Sequence, residues 1–435
     1  MKSARTRKLG NLSALALVLA VALGGFLGLA SDAGAQSRFG CSALDAAHVP
    51  SIDGLDGYFF RISPDLANHN SMTDEVVAEV AAISAAMSAR GTELIFVPLA
   101  TKAQVLPAKL GPEAEKYVYD ADLAATIYDA QRVRLSAAGV AVVDARRAFL
   151  ASDDAHRAFF KTDPRLTNDG LRILAKAIAD LRLDWPLAGG KGYVTTRGEP
   201  VVLDSIAHDV LQLSCLSELP SVETADYKTV AQSADDALDA PPRVVFAGPS
   251  EIVDASLNFD GFLSEVSGER VDLWLAKSSF SALTAYLTSE KYRQSPPEVL
   301  IWAVPVWENL ALGGDQPFRE AVAAIEDVCV SDLDAEVAGP DRLRVALGEA
   351  TFNDAQTLMI ENAGAAGGHA VFNFVGMDGQ MRSRTVVRPA DVARSGRFYM
   401  PLTGLWDAGV SHVDIETPLT ESALPVVALC RGAAG

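Results

Sequence analysis

Four apolar runs rich in β-branched residues, each stopped by Pro or Gly or preceded by a helix that Gly closes, dominate residues 73–305 and restrict the folds open to this chain. Glu93-Leu-Ile-Phe-Val97 ends at Pro98, and Val140-Ala-Val-Val143 follows Gly139. Arg243-Val-Val-Phe246 breaks at Gly248-Pro249, and Glu298-Val-Leu-Ile-Trp-Ala-Val304 stops at Pro305. A further strand is expected near Val271–Leu275. Between them lie helical patterns. Val76, Val77, Val80, Ile83 and Met87 share one face of a helix over 73–90 that Gly91 stops. Others are expected over 120–138, from Thr167 or Asn168 to about Arg182, over 259–266 and over 280–289. Strands that are apolar throughout, alternating with helices, predict a parallel sheet covered on both faces.

After about residue 328 the texture changes. Segments such as Leu343–Leu347, Thr357–Glu361, Ala370–Phe374, Val410–Ile415 and Val426–Leu429 are short, alternate apolar with polar residues, and are separated by Gly and Pro turns. That is the pattern of a small all-β sandwich. A chain of 435 residues is too long for one ordinary core. Two domains are therefore expected, an α/β domain over 36–325 and a β-sandwich over 326–435. Residues 185–240 have weak periodicity and read as a connecting excursion with a short strand near Val201.

Residues 1–35 read as an export signal: Lys2, Arg5, Arg7 and Lys8, then the uncharged apolar run Ala14–Ala30, then Ala33-Gly34-Ala35. An uncleaved anchor is the alternative, and the small-x-small site favours cleavage after Ala35. Removing four positive charges and one negative takes the net charge from −19 to about −22. So acidic a protein is a poor nucleic-acid binder, and no later apolar run reaches the length of a membrane span. Cys41, Cys215, Cys329 and Cys430 are even in number and would meet an oxidising compartment. Without C-x-x-C spacing, no metal site is expected, and no cofactor motif is found. Four cysteines allow three pairings; Cys41–Cys215 with Cys329–Cys430 keeps each bridge within its own region, and spacing leaves the others open.

The run at Arg243 delivers Ser250 at a strand-end turn, where an α/β protein exposes an active side chain. A serine nucleophile needs a base and a group to orient it. The six histidines, His48, His69, His156, His208, His369 and His412, sit in no local motif.

Several blocks, in order, resemble the AlgX/AlgJ-type family of periplasmic alginate O-acetyltransferases. They are Leu94-Ile-Phe-Val-Pro-Leu-Ala-Thr-Lys-Ala-Gln-Val-Leu-Pro107, Phe160-Lys-Thr-Asp163, Gly248-Pro-Ser250, Asn258-Phe-Asp-Gly-Phe-Leu263 and Tyr292-Arg-Gln-Ser-Pro-Pro-Glu-Val-Leu-Ile-Trp302. The resemblance covers nearly the whole mature chain, and the layout is most similar to the AlgX branch. It implies an SGNH hydrolase-like parallel-sheet domain followed by a carbohydrate-binding β-sandwich, with one disulfide in each. It also implies a periplasmic role in alginate or exopolysaccharide biosynthesis and acetyl transfer through an acetyl-serine. Ser250 matches the family's nucleophile and Asp163 its aspartate. Where the family has Asp-x-His-Trp-Thr, this chain has Asp163-Pro-Arg165-Leu-Thr167, so Arg165 stands in the place of the base. Arginine stays protonated and cannot accept the serine proton near neutrality. Glu251 beside Ser250 opposes an oxyanion, and Lys277-Ser-Ser279 replaces a glycine-rich stretch.

Two expectations follow. In one, acetyl transfer persists with His156 or another histidine as base. In the other, the chain is an inactive polysaccharide-binding or scaffold protein of an export complex. In that case Arg165 either pairs with Asp163 or binds a uronate. In the tail, Arg382, Arg384, Arg388, Arg394 and Arg397, with Tyr399 and Trp406, form a basic and aromatic segment suited to an acidic, alginate-like polysaccharide. The alternative is a solvated strand face with two core aromatics.

Overall fold

The computed structural model describes residues 37–68, 72–182, 192–232, 241–347, 356–362, 367–402, 405, 409–419 and 424–431. The export signal and Trp406 lie outside these residues. Among them no helix is long and apolar enough to cross a membrane.

The chain opens with a small hairpin, β1 (Ser51–Asp53) and β2 (Phe59–Arg61). Helix α1 (Asp74–Ala89) follows, capped by the Thr73 hydroxyl, which accepts from the Val76 N–H at 3.3 Å. Strand β3 (Glu93–Leu99), helix α2 (Ala121–Ala137), strand β4 (Ala141–Val142) and helix α3 (Asn168–Leu181) come next. Thr167 caps α3 by accepting from Gly170 N. Residue 170 must be glycine, since a Cβ there would lie 2.1 Å from the Ala158 carbonyl oxygen. Strand β5 (Tyr193–Val202), helix α4 (Ile206–Gln212) and strand β6 (Glu223–Ala231) form an excursion, with β5 and β6 paired antiparallel. The α/β region then continues with β7 (Val244–Pro249), helix α5 (Phe259–Ser267), β8 (Val271–Ala276), helix α6 (Ser279–Leu287), β9 (Val299–Pro305) and helix α7 (Gln316–Glu326).

The expected parallel sheet is present, with strand order β4-β3-β9-β7-β8. Alternate residues go to its two faces. Ile95, Val97, Val244, Phe246, Ile301 and Ala303 enter one core, while Leu94, Phe96, Val245, Leu300, Trp302 and Val304 enter the other. Double-sided burial is why these strands are apolar throughout. The ladder differs from expectation at its ends, because Pro98 and Pro305 continue it instead of stopping it.

The antiparallel β-rich region contains β10 (Cys329–Leu333), β11 (Ala335–Gly339), β12 (Arg342–Ala346), β13 (Gln356–Glu361), β14 (His369–Gly376), β15 (Met381–Val387), β16 (Arg397–Pro401), β17 (Val410–Glu416) and β18 (Val426–Arg431). They form two sheets, β10-β18-β13-β16 and β11-β12-β17-β14-β15. Leu358, Ile360, Phe398 and Met400 of the first meet Leu343, Phe372, Phe374 and Ile415 of the second. The intervening residues Met359, Tyr399 and Ala428 point the other way, into the core beside Phe318 and Trp302. The four-stranded sheet is therefore buried on both faces, and the change of texture near residue 328 is not a break in packing. Cys41 is bonded to Cys215 and Cys329 to Cys430.

Candidate functional site

Strand β7 ends at Pro249 and leaves Ser250 exposed at the carboxyl edge of the sheet. Its backbone N–H donates to the Ala276 carbonyl at 2.7 Å, extending the β7–β8 ladder by one rung. The Ser250 hydroxyl has no protein partner among the described residues. Ser250 lines a cleft of about 630 Å³ with Asp163, Arg165, Ser205, Arg61 and His48.

Asp163 lies just before the turn into α3 and is almost wholly buried. Its Oδ1 accepts from Arg165 N at 2.7 Å and Arg165 Nε at 2.9 Å, and its Oδ2 accepts from Arg165 Nη2 at 2.7 Å. Arg165 thus closes a two-pronged fork onto the carboxylate. The other prong of the guanidinium, Nη1, donates to Asp254, and Nη2 also donates to the Asp204 carbonyl at 3.0 Å. Burial alone would raise the Asp163 pKa, but the hydrogen bonds from Arg165 and Ser205 outweigh it and hold the carboxyl below its usual range. Burial likewise opposes the charge on Arg165, and Asp163 and Asp254 more than restore it. Neither group can take a proton from Ser250 near neutral pH.

Several further residues build the site. The Ser205 hydroxyl donates to Asp163 Oδ2 at 2.5 Å while accepting from His208 N at 3.0 Å, so one side chain both caps α4 and braces the carboxylate. A Ser-x-x-His start to a helix was the available signal. Asp254, also missed, caps a short turn through Ser256 N at 2.8 Å as it pairs with Arg165. Below the cleft, buried Lys102 donates from Nζ to the Lys161 carbonyl at 2.8 Å and the Asp163 carbonyl at 3.3 Å, against the rings of Tyr58 and Phe60. The capping box of Thr101 and Gln104 that holds Lys102 could have been read from Thr-x-x-Gln. Burial lowers the Lys102 pKa to about 7, partly offset by Asp65 and Asp163.

His156, the named substitute base, is not in this cleft. Its Nδ1 faces the Asp153 carbonyl at 3.1 Å, and its own carbonyl accepts from Tyr58. Among the described residues, His48 is the histidine that lines the cleft with Ser250.

The arginines of the tail do not form one face. Arg388 is buried and donates through its two terminal nitrogens to Glu320 of α7, one contact being 3.2 Å. Arg397 is buried between Glu361 and Asp327. Tyr399 is 1% exposed and donates to Asp327 Oδ1 at 2.7 Å. As placed, these three hold the molecule together and are closed to a polymer. Arg384 is half-buried and donates to the Pro401 carbonyl at 2.9 Å. Arg382 and Arg394 are exposed. A lattice of distant carboxylates, invisible to local reading, accounts for the difference.

A family model described as "SGNH hydrolase-like domain, acetyltransferase AlgX" matches residues 52–306. The chain belongs to this AlgX family. It is 27% identical over 354 residues to the alginate biosynthesis protein AlgX of Pseudomonas aeruginosa, covering 75% of this chain and 73% of that protein. It is 24% identical over 279 residues to a protein of the same organism described as "Probable alginate O-acetylase AlgJ", covering 58% of this chain and 69% of the relative. The solved structure of Pseudomonas aeruginosa AlgX superposes with a TM-score of 0.73 at 22% identity, over 88% of this chain and 94% of that one. The O-acetyltransferase domain of Pseudomonas putida AlgJ gives 0.50 at 19% identity, over 64% and 99%. The AlgX likeness extends across the antiparallel region as well as the parallel sheet.

Proposed function

We propose that this AlgX-family chain is an exported, periplasmic, non-acylating protein of alginate or related exopolysaccharide biosynthesis, which holds the polymer or scaffolds its modification complex. On this reading residues 36–325 are a retired SGNH-like domain and 326–435 a carbohydrate-binding sandwich. The observation that carries it is the position of Arg165. Its guanidinium is shared between Asp163 and Asp254, where the family's triad needs a neutral imidazole. Triad members act together, and loss of the base typically lowers turnover by orders of magnitude. The Ser250 N–H, a natural oxyanion donor, is also engaged by the Ala276 carbonyl.

The test is hydrolysis of an aryl acetate by the purified chain. Activity is expected to be no higher than that of Ser250→Ala, and Arg165→His is expected not to restore it, because the engaged N–H is unchanged. Ser250-dependent acetate release from the unmodified chain would overturn the proposal.

One observation favours a second reading. His48 and Ser250 share a cleft, so acetyl transfer with His48 as base is the alternative. It predicts that any Ser250-dependent activity is lost in His48→Ala and kept in His156→Ala.

A further inference from the structure

The cleft at Ser250 meets a second cleft of about 600 Å³ at Glu251, which lines both. The second runs from the sheet edge at Lys277 past Trp307 to Thr385 on β15, so the parallel sheet and the β-rich region share one groove. Its chemistry decides what it can hold. The guanidiniums that line it are engaged: Arg61 with Asp65, Arg165 with Asp163 and Asp254, and Arg388 with Glu320. Among the described lining residues, the Lys277 side chain is the cation without an ion pair, its backbone N–H donating to Asp391 Oδ2 at 2.9 Å, while Glu251, 50% exposed, pairs with Arg61 at 3.5 Å. Glu308 adds a further carboxylate, held by the Ser278 hydroxyl at 2.7 Å and the Ser279 N–H at 3.0 Å at the start of α6. The remaining polar lining of the second cleft is neutral, with Asn309, Gln316, Ser281 and Thr385, and Trp307 supplies a partly exposed ring that has the Arg61 guanidinium 5.0 Å over one side.

A polyuronate brings one carboxylate with every sugar. In this groove those charges would meet Glu251 and Glu308 without guanidinium forks to receive them, and a buried charge without a partner is costly. The field of a chain with net charge −19 opposes them as well. An uncharged sugar needs only what the groove offers, which is amide and hydroxyl hydrogen bonding and an aromatic ring beside its C–H face. We infer that the groove takes an uncharged, hydroxyl-rich polysaccharide in place of a polyuronate. This rests on the binding reading above and narrows its polymer from alginate or a related exopolysaccharide to a neutral exopolysaccharide.

The test is calorimetric titration of the full chain with three soluble hexasaccharides: a neutral β-linked glucan, an oligomannuronate and an oligoglucosamine. The neutral oligomer is expected to bind most tightly and to keep its affinity within about twofold as salt is raised past the range where exposed charges are screened. Trp307→Ala is expected to weaken it about tenfold or more. Should that variant fail to fold, Thr385→Lys on the exposed strand face serves instead, and is expected to create salt-sensitive oligomannuronate binding. Preference of the unmodified chain for oligomannuronate or oligoglucosamine would overturn the substrate class while leaving the binding reading intact. Binding of none of the three would overturn both.

Discussion

At the scale of single residues, Arg165 is held beside Asp163 as a group that cannot accept a proton near neutrality. Arg165 and Asp163 neutralise each other, so neither supplies a proton acceptor to the cleft. The buried group nearest to a physiological transition is Lys102 beneath them. Burial brings its pKa down from 10.5 to about 7, with Asp65 and Asp163 opposing that change and Arg61 reinforcing it. In the unfolded chain the same amine keeps its proton to about pH 10.4. Between about 7 and 10 the unfolded state therefore binds more protons, and this residue makes stability rise with pH. Below 7 both states are protonated and the penalty for the buried charge is constant. Lys102→Met removes the amine and is expected to be relatively most favourable at pH 6. From pH 7 upward the wild-type chain should regain up to about 1.4 kcal/mol per pH unit against the variant. Urea unfolding of both proteins at pH 6, 7.5 and 9 measures this, and a pH-independent difference between them would contradict the assignment.

At the scale of elements, the excursion between α3 and β7 connects the outer frame to the site. The start of α4 supplies Ser205 to Asp163, and just beyond its end Cys215 is tied to Cys41. The bridge spans 174 residues, so removing it frees a long loop in the unfolded chain. Replacing both cysteines by serine is expected to cost about 2–5 kcal/mol. Hydrogen exchange should show the amides of 205–215 losing protection more than those of β9; equal loss in both would mean that the bridge does not specifically hold this element. Legibility followed burial. Strands β7 and β9 are buried on both faces and could be read from unbroken apolar runs. Strand β5 has a mostly exposed surface, so its ten residues showed no alternation and only the stretch near Val201 was visible. Ser250 and Asp163 stood in recognisable blocks, whereas Ser205 and His48 reach the cleft, and Asp254 its partner Arg165, from separate segments through tertiary placement. Arg388 and Arg397 read as solvent-facing because their acidic partners, at 320, 327 and 361, are remote in sequence.

At the scale of the whole molecule, the parallel-sheet and β-rich regions behave as one packed body. A single apolar cluster holds Trp302 and Phe318 from the first with Met359, Tyr399 and Ala428 from the second. The Arg388–Glu320 pair lies within this junction, each side chain 4% exposed. A buried ion pair adds little net stability over an apolar pair of the same size, but loss of one partner strands the other charge. Arg388→Ala should therefore destabilise the protein by about 3–5 kcal/mol, while Arg388→Met with Glu320→Leu should recover most of that loss. Because the junction is shared, both regions should unfold together. With Trp185, Trp274, Trp307 and Trp406 replaced by phenylalanine, Trp302 fluorescence follows the parallel sheet, far-ultraviolet dichroism follows the whole chain, and the two transitions are expected to coincide before and after Arg388→Ala. If dichroism shows a second transition while the Trp302 midpoint stays fixed, the regions are energetically separate, and the groove between them would be a loose contact instead of a built wall.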